Sequence, residues 1–317
     1  MKIFVKYITD YFKVDFSWAV HLAVGLFLAA AIATNYSLNF YENITVTYNH
    51  TIYSVVYLFL TYMVGFLGIS LILSLFLPSD KKIILNKKYL IFGGIGIFFL
   101  ALDGSYYLMD FTTNLYNSNP FVGAWQRACV SNLSSLITVI IPLYFIYFGV
   151  RYFKPEWYGL RLNNAKVLPY FWLSYYLGMI PLIYLASFHL ASFQPDFLET
   201  YPTYTDNYEY RFMETEQWKT VGLYELTYGF DFLSVELFFR GFMVIALSRF
   251  VGKEAILPMV VVYCFLHFGK PMGEAISSIF GGYILGIFAY SSRNIYGGLI
   301  AHLGVAWGME YLAYLNL

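Results

Sequence analysis

A glutamate and an arginine four residues apart, Glu236 and Arg240, stand in apolar company in Asp231-Phe-Leu-Ser-Val-Glu236-Leu-Phe-Phe-Arg240-Gly241. A charge in a hydrocarbon core costs about 2.5 kcal/mol or more, so it lines a polar chamber or finds a partner. Residues four apart share a helix face, and an ion pair between Glu236 and Arg240 lowers the burial cost of both. Asp231 lies on a neighbouring face, and Gly241 is expected to let another helix approach closely. His267 ends the stretch Tyr263-Cys-Phe-Leu-His267, and the Phe-Gly-Lys270-Pro271 that follows stops a helix. His302 lies inside Gly-Gly-Leu-Ile-Ala-His302-Leu-Gly-Val-Ala306, a run of small residues suited to close helix packing. Two histidines and a carboxylate from separate helices support two chemistries. Glu236, His267 and His302 can hold a divalent metal such as zinc, whose bound water attacks a carbonyl. Without a metal, a carboxylate and one imidazole activate water while the other imidazole stabilises the oxyanion. The zinc signature HExxH is absent. The same residues also admit an architectural reading, with Glu236–Arg240 as a buried ion pair and His267 as a hydrogen-bonded helix end.

The elements that position these groups are membrane helices. Of 317 residues, 59% are hydrophobic and 12% charged, where a soluble domain is nearer half apolar and a quarter charged. Nine apolar stretches read as spans: 18–39, 52–77, 89–109, 131–149, 168–190, 223–250, 255–268, 275–290 and 295–315. The seventh and eighth are short. The expected fold is all-α, a polytopic transmembrane helix bundle of about 8–9 spans. Residues 1–150 form an N-terminal four-span region, and residues 151–317 a core region that holds the candidate chemistry. The first five spans carry few ionisable groups, among them His21, Asp103 and His189, whereas the sixth alone carries Glu225, Asp231, Glu236 and Arg240. Basic residues alternate between loops: Lys2, Lys6 and Lys13, then Lys81, Lys82, Lys87 and Lys88, then Arg151, Lys154, Arg161 and Lys166, then Arg249 and Lys253, then Arg293. By the positive-inside rule the N-terminus is cytoplasmic. The first span reads as retained rather than as a cleaved signal. Residues 191–221 form an acidic, tyrosine-rich outer connector. Lys+Arg and Asp+Glu balance at 19 each, so bulk charge gives no reason to expect nucleic acid. Cys129 and Cys264 share no CxxC spacing and read as small buried hydrophobes.

These motifs resemble the CPBP family, the CAAX prenyl protease and bacteriocin-processing (Abi) intramembrane proteases. That family has Glu-Glu-x-x-x-Arg, then Phe-x-x-x-His, then His-x-x-x-Asn or -Asp, each on its own membrane helix. The matching stretches are Val235-Glu236-Leu-Phe-Phe-Arg240, Tyr263-Cys-Phe-Leu-His267 and His302-Leu-Gly-Val-Ala306. Tyr158-Gly159-Leu160-Arg161 resembles the loop that precedes the family core. The resemblance implies catalytic roles for Glu236, Arg240, His267 and His302, a peptide or protein substrate, membrane lipid as surroundings, and a bacterial inner membrane as location. The family has been described both as metalloproteases and as metal-free glutamate proteases. Two positions depart from its pattern. The first glutamate, usually assigned to activating water, falls on Val235, and the residue that assists the oxyanion falls on Ala306. Asp231, one turn before Val235, and Glu310, two turns after His302, are the carboxylates placed to compensate. The readings are therefore an intramembrane endopeptidase, or a non-catalytic relative acting as scaffold, binding partner or immunity factor. A transporter ranks last, since no inverted repeat is present.

Overall fold

The computed structural model describes residues 2–149, 157–161, 203 and 208–314. The expected fifth span, most of the outer connector and the 150/151 boundary lie outside these residues. Every regular element among the described residues is helical. The principal helices are α1 (Lys2–Val14), α2 (Trp18–Ser37), α3 (Ile52–Phe76), α4 (Lys87–Gly104) and α5 (Pro120–Gly149), followed by α6 (Gln217–Glu236), α7 (Ile256–Leu266), α8 (Met272–Ser292) and α9 (Tyr296–Tyr314). Local sequence accounts for several boundaries. Asn86 caps α4 by accepting from Tyr89 N at 3.1 Å, and Asn119 caps α5 through Phe121 N at 3.0 Å, with Pro120 in the first turn where its missing N–H costs nothing.

Helices α2, α3, α5 and α8 are long and apolar enough to cross a membrane. On α3, Leu60, Val64, Leu67, Leu71 and Leu75 form an exposed apolar stripe, while Leu58, Tyr62, Phe66, Ile69 and Leu73 are buried on the other side. A stripe of that length is unfavourable in water and favourable in lipid. The chain is an integral membrane protein. The eighth span, expected to be short, is the full 21-residue α8. The seventh is indeed short, 11 residues, and Ile256 to Phe265 are all buried. A helix that is apolar all round belongs inside a bundle, so α7 is the central core helix. Pro258 is tolerated there because it sits in the first turn.

Helix α6 does not end as an α-helix. Beyond Glu236 the chain continues as π-helix over Leu237–Ala246, with all ten residues buried. One of its wide-turn bonds runs from Leu247 N to Phe242 O at 3.0 Å. Such stretches are rare and concentrate at functional sites. Gly241 lies in this segment, and a Cβ there would meet the Tyr158 carbonyl oxygen at 2.5 Å. The neighbour it admits is therefore the Trp157–Gly159 turn, not the helix expected from sequence. That turn is tight: Tyr158 has φ 50° and Gly159 φ +82°. Gly159 O accepts from Ile295 N at 3.2 Å and Leu160 O from the Tyr296 hydroxyl at 2.9 Å, which ties the turn to the start of α9.

The basic loops gather at one end of the bundle. Lys253 pairs with Asp15 at 2.6 Å. Asn86 donates to Phe250 O at 3.0 Å. Arg293 donates to the Ser248 hydroxyl at 2.8 Å and to Ile245 O at 2.9 Å. The 81–88, 249–253, 157–161 and 293–296 segments thus share one face with the end of α1.

Candidate functional site

Glu236 occupies the last α-helical position before the π-helical stretch, and Arg240 lies one turn on; both are completely buried. Arg240 Nη1 stands 2.9 Å from Glu236 Oε1. The distance makes an ion pair, but the N–H vectors are off line. None of the three guanidinium nitrogens has a hydrogen-bond partner among the described residues, nor has Glu236 Oε2. Leaving buried polar atoms unpaired costs about 1–3 kcal/mol each, which is why such groups usually mark a site rather than scaffolding. Gly298 of α9 packs directly on Glu236 Oε2, where a Cβ would overlap the carboxylate.

The imidazoles complete the cluster. His302 Nδ1 is 3.1 Å from Glu236 Oε1, and its Nε2 is 3.2 Å from the Tyr263 hydroxyl. An ionised carboxylate only accepts, so Nδ1 carries the proton and Nε2 is the acceptor toward Tyr263. The Tyr263 ring lies 4.5 Å beneath the Arg240 guanidinium carbon and 4.6 Å, edge to face, from the His267 ring. His267 caps its own helix: Nδ1 donates to Tyr263 O, four residues back, at 2.7 Å. A carbonyl oxygen accepts only, so this bond leaves His267 Nε2 with its lone pair exposed. Glu236, Arg240, Tyr263, His267 and His302 therefore form one connected group contributed by α6, the π-helical stretch, the end of α7 and α9. Tyr263 is the member the sequence reading did not single out. Its signal was present, since it stands where the resembled motif has phenylalanine.

The first helices of the chain hold this group in place. The Tyr36 hydroxyl at the end of α2 donates to Lys270 O at 2.7 Å and lies 3.3 Å from His267 O. Its neighbour Asn35, buried, donates to Phe268 O at 3.0 Å and accepts from Tyr41 N at 3.1 Å. A cavity of about 290 Å³ opens beside this clasp, between residues 35–42 and 268–272. Nothing in the spacing of Asn35 and Tyr36 marks them in the sequence, because their partners lie more than 230 residues away. Tyr36→Phe removes its hydrogen bond to the His267 turn, at a cost of about 0.5–1.5 kcal/mol. Hydrogen exchange followed by mass spectrometry is expected to show faster exchange over residues 267–272, with α3 and α4 unchanged. Unchanged exchange in the turn contradicts the clasp.

Two expected contributors stand elsewhere. Asp231 is in electrostatic range of Asp103, Ser135 and Lys270, with Asp103 accepting from Thr138 Oγ1 at 2.5 Å. It thus belongs to a second polar group, toward α4 and α5. Glu310 is taken up by Thr203, whose N–H is 2.9 Å from each carboxylate oxygen and whose hydroxyl donates at 2.6 Å. Val235 is half-buried against the apolar core and Ala306 is buried, so neither position supplies a polar atom. The donor set does not fit the metal reading. Glu236 Oε1 already faces Arg240 and His302, both His302 nitrogens are engaged, and His267 offers one nitrogen. Among the described residues no three His, Cys, Asp or Glu side chains are arranged to hold a metal ion.

A buried Glu–Arg pair and two imidazoles are thus brought together from separate helices of a membrane bundle. Residues 218–308 match the family model described as Type II CAAX prenyl endopeptidase Rce1-like. That segment spans less than a third of the chain and carries all three motifs, and the match supports CPBP family membership. No curated protein and no solved structure matches the chain.

Proposed function

We propose that this chain is an intramembrane endopeptidase that hydrolyses a peptide bond at or within the membrane with water as the nucleophile. The observation that carries the reading is the His267 tautomer. With Nδ1 committed to Tyr263 O at 2.7 Å, Nε2 is an acceptor able to hold a water in the polar group. Glu236 and His302 supply the basic pair behind that water. Arg240, buried and without hydrogen bonds among the described residues, offers N–H groups to the oxyanion that develops on the scissile carbonyl. Of the two imidazoles, His302 fits the base side better than the oxyanion side, since its Nε2 accepts from Tyr263 rather than donating. No step in this scheme uses a metal. The basic face of the bundle is assigned to the cytoplasm of a bacterial inner membrane, and the substrate to a membrane-inserted or membrane-anchored peptide. The experiment is to reconstitute the protein in vesicles with a peptide library and read new termini by mass spectrometry. The wild type is expected to cleave and His267→Ala is not.

A second reading is kept alive by Val235 and Ala306, whose apolar side chains replace two polar positions of the family motif. In it the chain is a non-catalytic CPBP relative that works as a scaffold, a binding partner or an immunity factor. Absence of any new terminus with the wild type, at protein concentrations where it remains folded, favours that reading.

A further inference from the structure

We infer that the Tyr263 hydroxyl is the atom that takes the proton from the attacking water, with His302 and Glu236 relaying behind it. The inference rests on the endopeptidase reading above and names the residue that replaces the missing carboxylate of that site. Three observations carry it. The order Glu236 Oε1, His302 Nδ1, His302 Nε2, Tyr263 Oη is a continuous chain with steps of 3.1 and 3.2 Å. Carboxylate, imidazole and hydroxyl in that order are the arrangement by which a weakly acidic hydroxyl is activated, and such contacts are often long before substrate binds. The Arg240 guanidinium lies over the Tyr263 ring at 4.5 Å, where its positive charge stabilises an electron-rich phenol face and more strongly a phenolate. The His267 ring packs edge to face on the same tyrosine, with ring centroids 4.6 Å apart, so the imidazole and the phenol are neighbours in one polar group. A water has two hydrogens, and these are two acceptors for them.

The step balances without any other reagent. One water proton moves to Tyr263 Oη as the tyrosine's own proton moves to His302 Nε2, and the Glu236 carboxylate neutralises the imidazolium formed. The hydroxide oxygen bonds to the scissile carbon, and the C=O π pair moves to the oxygen, where Arg240 N–H groups meet it. On collapse the C=O re-forms, the C–N bond breaks, and the proton on His302 returns through Tyr263 to the leaving amine. His267 Nε2 accepts the second water hydrogen throughout and orients the attack.

The test uses the full chain in vesicles and a peptide that the wild type cleaves. Tyr263→Phe keeps the ring over Arg240 and His267 and removes only the hydroxyl, so the thermal midpoint is expected to move little while kcat/KM falls about 100-fold or more. A ring-difluorinated tyrosine at position 263, whose phenol is more acidic, is expected to shift the pH profile of kcat/KM to lower pH, which a purely structural tyrosine does not do. Undiminished cleavage by Tyr263→Phe, or an unmoved profile with the fluorinated residue, overturns the inference and leaves the endopeptidase reading intact. A wild type that cleaves no peptide overturns both.

Discussion

Glu236→Ala is expected to destabilise the folded protein by about 3–5 kcal/mol, because it leaves the Arg240 charge buried without a counter-ion. The two residues are 0% exposed and their charged groups stand 2.9 Å apart, so solvent cannot take the place of the lost carboxylate. The effect has a second part. His302 Nδ1 loses its acceptor at 3.1 Å, which leaves the imidazole held by Tyr263 and the Phe232 ring at 4.5 Å among the described residues. Thermal unfolding in detergent reads the first part. The double variant Glu236→Ala with Arg240→Met is expected to recover much of the loss, since an apolar side chain of similar length fills the site without a charge. If the single variant melts with the wild type, Glu236 and Arg240 are not a buried pair and the site as described does not exist.

His267→Ala is expected to behave in the opposite way: a large loss of activity with a small loss of stability. The ring is half-buried at a helix end, and its one hydrogen bond among the described residues goes to its own helix. Removing it costs about 0.5–1.5 kcal/mol. Removing the acceptor that holds the attacking water is expected to lower kcat/KM by about 10²–10⁴-fold. Peptide cleavage and thermal unfolding measured on the same preparation separate the two effects. Cleavage that survives the substitution moves the water to another acceptor and removes His267 from the mechanism.

The contrast between these two residues shows what the sequence carried and what it did not. Apolar runs made the helical membrane bundle legible, and the family motif made Glu236, Arg240, His267 and His302 legible as separate points. Their assembly depends on features without a sequence signature. The π-helical turn after Glu236 is one, since nothing in Leu237–Ala246 distinguishes it from an α-helical run. Helix α8 looked short because Ser277, Ser278, Gly281, Gly282 and Gly286 dilute its apolar pattern, yet Gly282 and Gly286 are where Tyr263 and Met259 of α7 pack against it. Asp231 and Glu310 have the right residue type and lie near the motifs in sequence. Helix rotation and the partner Thr203 direct them elsewhere, which single-sequence spacing does not reveal. Tyr263 was a visible departure from the motif whose meaning emerged only with His302 at 3.2 Å.

A backbone carbonyl holds His267 in one tautomer, with Nε2 proton-free beside a tyrosine and the Arg240 guanidinium. Nitrogen-15 spectra of the histidine-labelled protein in micelles, with the His267 signals assigned by their loss in His267→Ala, measure this directly. The result that agrees is a protonated Nδ1 and a proton-free Nε2 on His267. A proton on Nε2 contradicts it, for the imidazole then has no lone pair facing the water and the chamber has lost its acceptor.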